Sequence, residues 1–208
     1  PGAVDYGAVI QKIRKAGADG IIFGGYHPEA SKLVQQLAKK KIDIPFIGVV
    51  EPAARKAVEA TQNGRVGVIG TTATIQSGAF DSAIHSLASG VSVFQQDCPM
   101  FVHLVENGWC TADDPIARLA AERYLGGLKD QEVDTLILGC THFPILRQVI
   151  AQVMGPDVTL INTGAEAARR AAALLKESGQ CAPADRKRGR CRFFVSDAVG
   201  GFNRTASM

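Results

Sequence analysis

Residues 134–146 read DTLILGCTHFPIL, and they are the sharpest feature of the sequence. Its first half is a continuous apolar run, which is typical of a strand buried on both faces of a parallel sheet. Pro144 favours the first turn of a helix that follows. The stretch is therefore one β/α unit, and it predicts that Cys140, Thr141 and His142 lie where the strand ends.

The same alternation continues on both sides of this unit. Short apolar runs predict further strands at residues 20–24, 46–50, 65–69, 91–94, 158–161 and 192–195. Amphipathic stretches predict helices at residues 6–15, 28–40, 114–128, 143–154 and 165–176. The chain is therefore predicted to be an α/β protein with parallel sheets flanked by helices and right-handed crossovers. Ligands bind beyond the carboxyl ends of such strands, so functional residues are expected there.

The composition excludes several classes of protein. Of 208 residues, 46% are hydrophobic and 21% are charged, which excludes a disordered chain. A net charge of +3 is too small to predict a nucleic-acid partner. No apolar run approaches the ~18 residues of a membrane helix, so no membrane partner and no export signal are expected. The basic cluster at residues 186–192 is expected to be a solvated loop, with polyanion binding as the lesser alternative.

The five cysteines are an odd number without CxxC spacing or a Cys/His metal pattern. They predict free thiols in a reducing compartment, hence a cytoplasmic protein without a bound metal. Cys140 differs from the others because helix N–H groups after it are expected to lower its pKa. Thr141 offers a hydroxyl for capping or for a carboxylate, and His142 can act as acid, base or ligand. A buried structural cysteine beside a capping threonine remains the alternative interpretation.

Beyond residue 47 the chain resembles glutamate racemase, an isomerase that makes D-glutamate for bacterial peptidoglycan. The matching stretches are GVVEPAARKAVEAT (48–61), NGRVGVIGTTATIQSGAF (63–80), CPMFVHLVENG (98–108), DTLILGCTHFPIL (134–146), LINTGAEAARR (160–170) and RFFVSD (192–197). The resemblance implies an aspartate/glutamate racemase-like fold of two lobes. It also implies glutamate as a small amino-acid ligand, no cofactor, and a possible homodimer.

The resemblance further implies a mechanism with two cysteines that flank the substrate Cα. One thiolate removes the α-proton, and the other thiol delivers a proton to the opposite face. Cys140 matches the second cysteine, and Glu106 matches a glutamate that orients His142, which makes these three the expected catalytic residues. The residues that match substrate-holding positions are Thr141, His142, Thr71 and Thr74.

Residues 1–47 depart from that family pattern. The Asp-Ser-Gly, Pro-Tyr-Gly and Cys-Asn-Thr loops are missing, and with them the first catalytic cysteine, since no cysteine precedes Cys98. The segment FGGYHPEA (23–30) instead resembles a periplasmic branched-chain amino-acid-binding protein, which implies that Tyr26 lies near a bound amino acid. We therefore expect an engineered or recombined chimera whose first lobe is truncated and replaced. That lobe is expected to comprise residues 1–50 plus 163–208, with the strand at 192–195 returning to it, and the racemase-like lobe residues 51–162.

Three functional hypotheses follow from these residues. The main one is a racemase-derived chimera with one of two catalytic thiols, without full activity and with at most weak amino-acid binding. The alternative is an active cofactor-independent glutamate racemase, in which His27 or Tyr26 replaces the missing cysteine. A third possibility is a half-site, in which Cys140 exchanges the α-proton of one enantiomer without inverting it.

Overall fold

The computed structural model describes residues 5–24, 27–183 and 185, without the side chains of residues 27 and 28. In this part of the chain the strands form two parallel sheets, one of two strands and one of four. The strands are β1 (Ile21–Phe23), β2 (Phe46–Gly48), β3 (Arg65–Gly70), β4 (Ser92–Asp97), β5 (Thr135–Leu138) and β6 (Thr159–Asn162). The helices are α1 (Gly7–Lys15), α2 (His27–Lys39), α3 (Val50–Ala60), α4 (Thr72–Gln76), α5 (Ala79–Leu87), α6 (Pro99–Glu106), α7 (Pro115–Asp130), α8 (Arg147–Met154) and α9 (Thr163–Glu177).

The smaller sheet pairs β1 with β2, with Ile21 beside Phe46. Among the described residues, its core has three buried apolar side chains, Ile10, Leu33 and Leu37, with partly buried neighbours packed around them. A core of this size stabilises little by itself, because stabilisation scales with the apolar area removed from water. This sheet is therefore expected to be the less stable part of the molecule.

The larger sheet has the strand order β4-β3-β5-β6, and every neighbouring pair is parallel. Alternate residues of β5 face opposite layers, as strand geometry requires. Leu136 and Leu138 pack in one apolar layer with Phe101, whereas Ile137 packs in the other layer with Ala53. The sheet is covered on both faces, which explains why the strand sequence is apolar throughout.

The predicted fold class is confirmed: the chain has parallel sheets flanked by helices. The predicted helix at 143–154 begins differently, because Phe143–Leu146 form a 3₁₀ turn before α8. The predicted strand at 192–195 lies outside the described residues, so its return to the first lobe and the proposed lobe boundaries stay predictions. Helix α9 contacts both α3 and β2. None of the helices in the described ranges has the length and apolarity that crossing a membrane demands.

Candidate active site

A cavity of about 410 Å³ lies at the carboxyl ends of β3, β5 and β6. Its polar lining residues are Thr71, Thr74, Ser77, Cys140, Thr141, Asn162 and Thr163. Gly24 follows β1, and Val49 and Val50 follow β2, so the smaller sheet also contributes to the wall. The cavity thus occupies the position where parallel sheets bind their ligands.

Gly139 brings the end of β5 unusually close to β3. Its N–H donates to the carbonyl oxygen of Ile69 at 2.7 Å. A Cβ at residue 139 would stand 2.7 Å from that same oxygen and 3.1 Å from Cε2 of Phe80. Glycine is therefore needed for close approach of the two backbones, and this contact fixes where Cys140 leaves the sheet.

Cys140 is the first member of a chain of three functional groups. Its Sγ lies 3.7 Å from Nδ1 of His142, and Nε2 of His142 lies 3.6 Å from a carboxylate oxygen of Glu106. The His142 side chain is 27% exposed and that of Glu106 is 56% exposed. The imidazole therefore lies between the thiol and a carboxylate that is exposed to solvent.

Helix α6 holds this array from two points. It carries Glu106 at its last position and Phe101 near its start. The ring of Phe101 packs edge-on against the ring of Phe143, and the two ring centroids are 5.3 Å apart. Phe143 follows His142 directly in the chain. Both aromatic side chains are fully buried. The buried aromatic pair anchors the loop after Cys140, and Glu106 then faces the imidazole that this loop presents.

The expected lowering of the Cys140 pKa was wrong. Burial raises the pKa of the Cys140 thiol, and hydrogen bonds from the backbone of residues 141–143 and the Thr141 hydroxyl offset this only in part. The physical reason is that a turn and a short 3₁₀ segment follow Cys140, while desolvation disfavours the thiolate. Since an unperturbed thiol titrates near ~8.5, Cys140 is predominantly protonated at neutral pH.

Thr71 and Thr74 lie side by side in the cavity wall. Thr71 caps α4, because its hydroxyl accepts a hydrogen bond from the Thr74 N–H at 3.3 Å. The two hydroxyl oxygens are 2.9 Å apart and share a hydrogen bond. Both threonines therefore line the cavity, with one hydroxyl proton free to reach a ligand, and their contact with a substrate stays a prediction.

The structure places the remaining predicted residues differently. Thr141 lines the cavity, but His142 and Glu106 are not among its described lining residues. His142 contacts the Cys140 thiol, and Glu106 lies next to His142. Their contact with a substrate therefore stays a prediction. Tyr26 lies outside the described residues, although Gly24, two positions earlier, is part of the wall.

Two residues at the end of β6 line the cavity, although the sequence did not single them out as site residues. Asn162 lines the cavity and caps α9, since its Oδ1 accepts the N–H of Ala165 at 3.1 Å. Thr163 donates its hydroxyl to the Leu138 carbonyl at 3.2 Å and so ties the start of α9 to β5. The signal for both residues was their position directly after a predicted buried strand.

The other described cysteines lie away from this cavity. Cys98 is buried, Cys110 is half-buried and Cys181 is exposed, and none of the three belongs to the described lining. Burial, with a smaller effect of the neighbouring Asp97 charge, raises the pKa of Cys98 far above its usual range. Within the described ranges no group of three His, Cys, Asp or Glu side chains could hold a metal ion.

Comparisons with known proteins point to one family. The family model described as Asp/Glu/Hydantoin racemase matches residues 2–171. Glutamate racemase of Desulforudis audaxviator is 39% identical over 195 residues, which are 91% of this chain and 70% of that protein. Glutamate racemase of Geobacter metallireducens is 42% identical over 178 residues, which are 86% of this chain and 65% of that protein.

Solved structures agree with this result. Glutamate racemase isoform RacE1 from Bacillus anthracis superposes with a TM-score of 0.84 at 32% identity, covering 96% of this chain and 73% of that one. The Francisella tularensis glutamate racemase in complex with D-glutamate gives a TM-score of 0.80 at 30% identity, covering 99% and 79%. Several curated relatives are longer: the chain spans 65%, 47% and 49% of the glutamate racemases from Geobacter metallireducens, Corynebacterium kroppenstedtii and Chlorobaculum tepidum.

These matches correct the expectation of a second parent for residues 1–47. The family model begins at residue 2 and therefore includes that segment. No comparison supports a branched-chain amino-acid-binding protein or an engineered chimera, and the findings favour the alternative of a racemase over the chimera hypothesis.

Proposed function

The chain belongs to the Asp/Glu/Hydantoin racemase family, and from that premise we propose that it is a cofactor-independent isomerase that interconverts L- and D-glutamate. The observation that carries the proposal is Cys140 in the cavity wall, with His142 next to its thiol and Glu106 next to the imidazole. Glutamate is inferred as the substrate from the names of these relatives. It is part of the proposal because this chain spans less than two thirds of several of them.

The cavity suits a small zwitterionic ligand. Its volume of about 410 Å³ lies in the range of small-molecule sites, which is roughly 300–1,000 Å³. The described lining has hydroxyl and amide groups from Thr71, Thr74, Thr141 and Asn162, and no charged side chain. Such neutral donors can bind the substrate carboxylate, and they can stabilise the additional negative charge that develops on it when the α-proton is removed.

Cys140 performs the proton transfer in this mechanism. An α-proton is only weakly acidic, so its removal needs a base in direct contact and donors on the adjacent carboxylate. His142 accepts the thiol proton through Nδ1 at 3.7 Å, which compensates for the burial that favours the neutral thiol. Glu106 faces the opposite ring nitrogen and stabilises the imidazolium that results.

Inversion also needs a proton donor on the other face of Cα. We assign this role to His27 or Tyr26, which follow the cavity residue Gly24 by three and two positions. The product D-glutamate would serve peptidoglycan synthesis, and the sequence pattern of five cysteines without CxxC spacing fits a cytoplasmic protein. A homodimer stays a prediction.

A second candidate is an amino-acid-binding protein without turnover. It is favoured by the fact that Cys140 is the one thiol in the described cavity wall. Thermal unfolding with and without millimolar glutamate or leucine separates the candidates when combined with an activity assay. A shift in Tm without product supports binding alone.

The deciding experiment is incubation of the purified chain with L-glutamate, followed by chiral chromatography. We expect D-glutamate from the wild type and from Cys181→Ser, since Cys181 is exposed and away from the cavity. Cys140→Ala is expected to form none. Equal amounts of D-glutamate from the wild type and Cys140→Ala would refute the proposed role of the thiol.

A further inference from the structure

Thr163 carries a buried hydroxyl in the cavity wall. It is 4% exposed, and it shares with Thr135 the distinction of being a buried polar residue in the part of the chain that the structure describes. A buried hydroxyl is costly unless it is hydrogen-bonded, so its partner is informative. The Thr163 hydroxyl donates to the Leu138 carbonyl oxygen at 3.2 Å, across 25 positions of sequence. This hydrogen bond therefore joins the wall of the cavity to the end of β5.

The last peptide unit of β5 is held from both neighbouring strands. On the β3 side, the Gly139 N–H donates to the Ile69 carbonyl oxygen at 2.7 Å. On the β6 side, Thr163 follows Asn162, the residue that pairs with Leu138 in the sheet. The Leu138 carbonyl and the Gly139 N–H belong to one planar peptide unit. Because both of its polar groups are hydrogen-bonded, the orientation of this unit is fixed.

Thr163 is itself held in place by the helix that it begins. Ala167 and Ala171, about one and two turns later in α9, are buried, and the helix contacts α3 and β2. Asn162 caps this helix through the Ala165 N–H at 3.1 Å. The branched Cβ of threonine also restricts the χ1 angle, so the hydroxyl has few alternative directions. The hydrogen bond to β5 therefore starts from a fixed point.

Resting on the proposed function, we propose that Thr163 is a positioning residue: its hydroxyl fixes the peptide unit before Gly139 and thereby the point at which Cys140 meets the substrate Cα. Glycine permits many backbone conformations, so the place of Cys140 depends on how firmly the preceding unit is held. Proton transfer needs the reacting atoms in contact, and a small displacement of the thiol slows it. Without the hydroxyl, the unit keeps its hydrogen bond to Ile69 on the β3 side and loses the one to α9.

The first measurement is exchange of the substrate α-proton. The 208-residue chain is incubated with glutamate in D2O, and loss of the α-proton is followed by proton NMR. Thr163→Val keeps the shape of the side chain without its hydroxyl, and we expect it to lower exchange by about tenfold, since a displacement of about 1 Å can cost up to ~10²-fold. Thr163→Ser retains the hydroxyl and should recover most of the lost rate. Thr163→Ala is the second variant without a hydroxyl and should behave like Thr163→Val.

The second measurement is alkylation of Cys140 by iodoacetamide without substrate, followed by peptide mass spectrometry. Burial raises the pKa of the Cys140 thiol, so a strand end that moves exposes the sulfur and makes more thiolate available. We expect Thr163→Val to raise the rate of Cys140 alkylation by about fivefold, the population change that loss of one hydrogen bond produces. Cys98 is fully buried in the core, so its alkylation in the same digest reports general loosening and should not change.

Thr135→Val is the matched control for this substitution. Thr135 is also fully buried and begins the same strand, but it is not part of the described cavity wall. The same chemical change there should leave α-proton exchange and Cys140 alkylation as in the wild type.

The possible outcomes separate this inference from the proposed function. Wild-type exchange and alkylation in Thr163→Val would overturn the positioning role. Slower exchange with unchanged Cys140 alkylation would also overturn it, because the hydroxyl would then act on the substrate directly. Equal increases in the alkylation of Cys98 and Cys140 would assign the effect to general destabilisation and overturn it too. Absence of exchange in the wild type would overturn the proposed function, while alkylation would still decide whether Thr163 positions the thiol.

Discussion

Replacement of Gly139 by alanine tests how the fold positions the thiol. The added Cβ would lie 2.7 Å from the Ile69 carbonyl oxygen, far inside the 3.4 Å at which ordinary contact begins. This oxygen belongs to β3, which is hydrogen-bonded on both sides by β4 and β5 and cannot easily move. The end of β5 must therefore shift away from β3, and Cys140 shifts with it.

The expected magnitude follows from this overlap. Overpacking of a core typically costs about 1–3 kcal/mol, and contact with an immobile backbone atom favours the upper half of that range. A loss of about 2–3 kcal/mol corresponds to a fall in Tm of about 4–12 °C for a chain of this size. Because misplacement of a reacting group by about 1 Å can cost ~10²-fold in rate, α-proton exchange is expected to fall by about 10- to 100-fold.

Gly127→Ala is the matched control for this substitution. Gly127 lies within α7, and a Cβ there would meet nothing within 4 Å. The same chemical change is therefore expected to raise the free energy of unfolding by about 0.5–1 kcal/mol, because alanine favours a helix over glycine. Thermal unfolding and deuterium exchange into glutamate measure both variants. A Gly139→Ala protein with the wild-type Tm and exchange rate would show that the close approach of residue 139 to β3 does not position Cys140.

Three further predictions concern other parts of the molecule. Glu106→Gln should lower α-proton exchange by about tenfold, while unfolding should change by less than ~1 kcal/mol because the Glu106 side chain is 56% exposed. A loss of stability above ~1 kcal/mol without a loss of rate would contradict the assigned role. Burial raises the pKa of Asp134, but hydrogen bonds from Thr61, Asn63 and Gln62 outweigh burial and hold that pKa below its usual range. The stabilisation from Asp134 is therefore present above the unfolded pKa of about 3.9, and it is lost as the pH falls through the lower folded value. Asp134→Asn should therefore lower the free energy of unfolding by about 1–2 kcal/mol at pH 7 and leave it unchanged in strong acid. Denaturant unfolding at both pH values measures this difference. Amide exchange should be faster in β1 and β2 than in β3 and β5, because the described core of the smaller sheet has three buried apolar side chains and that of the larger sheet has many more. Equal protection by mass spectrometry would count against this.

The central strands could be predicted from sequence because their signal is local. Residues 65–69 and 135–138 are apolar runs, and the structure has strands at Arg65–Gly70 and Thr135–Leu138. The edge strand β4 was predicted only in part, at 91–94, because Ser92–Asp97 has only exposed and half-buried positions and ends in polar residues. The run at 46–50 merged two elements, since β2 ends at Gly48 and Val50 already begins α3.

The site was harder to predict wherever distant segments meet. Glu106 was assigned through family resemblance alone, since nothing in the local sequence indicates which imidazole a carboxylate on α6 will face. The structure provides the reason: Phe101 on the same helix packs against Phe143, and this contact sets the register between α6 and the loop after Cys140. Asn162 could be placed at a strand end from the sequence, but its position next to Leu138 in the sheet, 24 residues earlier in the chain, is visible only in the structure.

The Cys140 pKa shows why local chemistry and packing must be weighed together. Backbone N–H groups after the cysteine favour the thiolate, as the sequence indicated, but burial among segments from three strand ends favours the thiol more strongly. A cysteine that is protonated at neutral pH is ready to donate a proton, and it becomes a base only when His142 takes that proton away. The requirement for His142 therefore arises from the packing of the cavity itself: the same desolvation that strengthens the hydrogen bonds to a substrate carboxylate also makes the unassisted thiol a weak base.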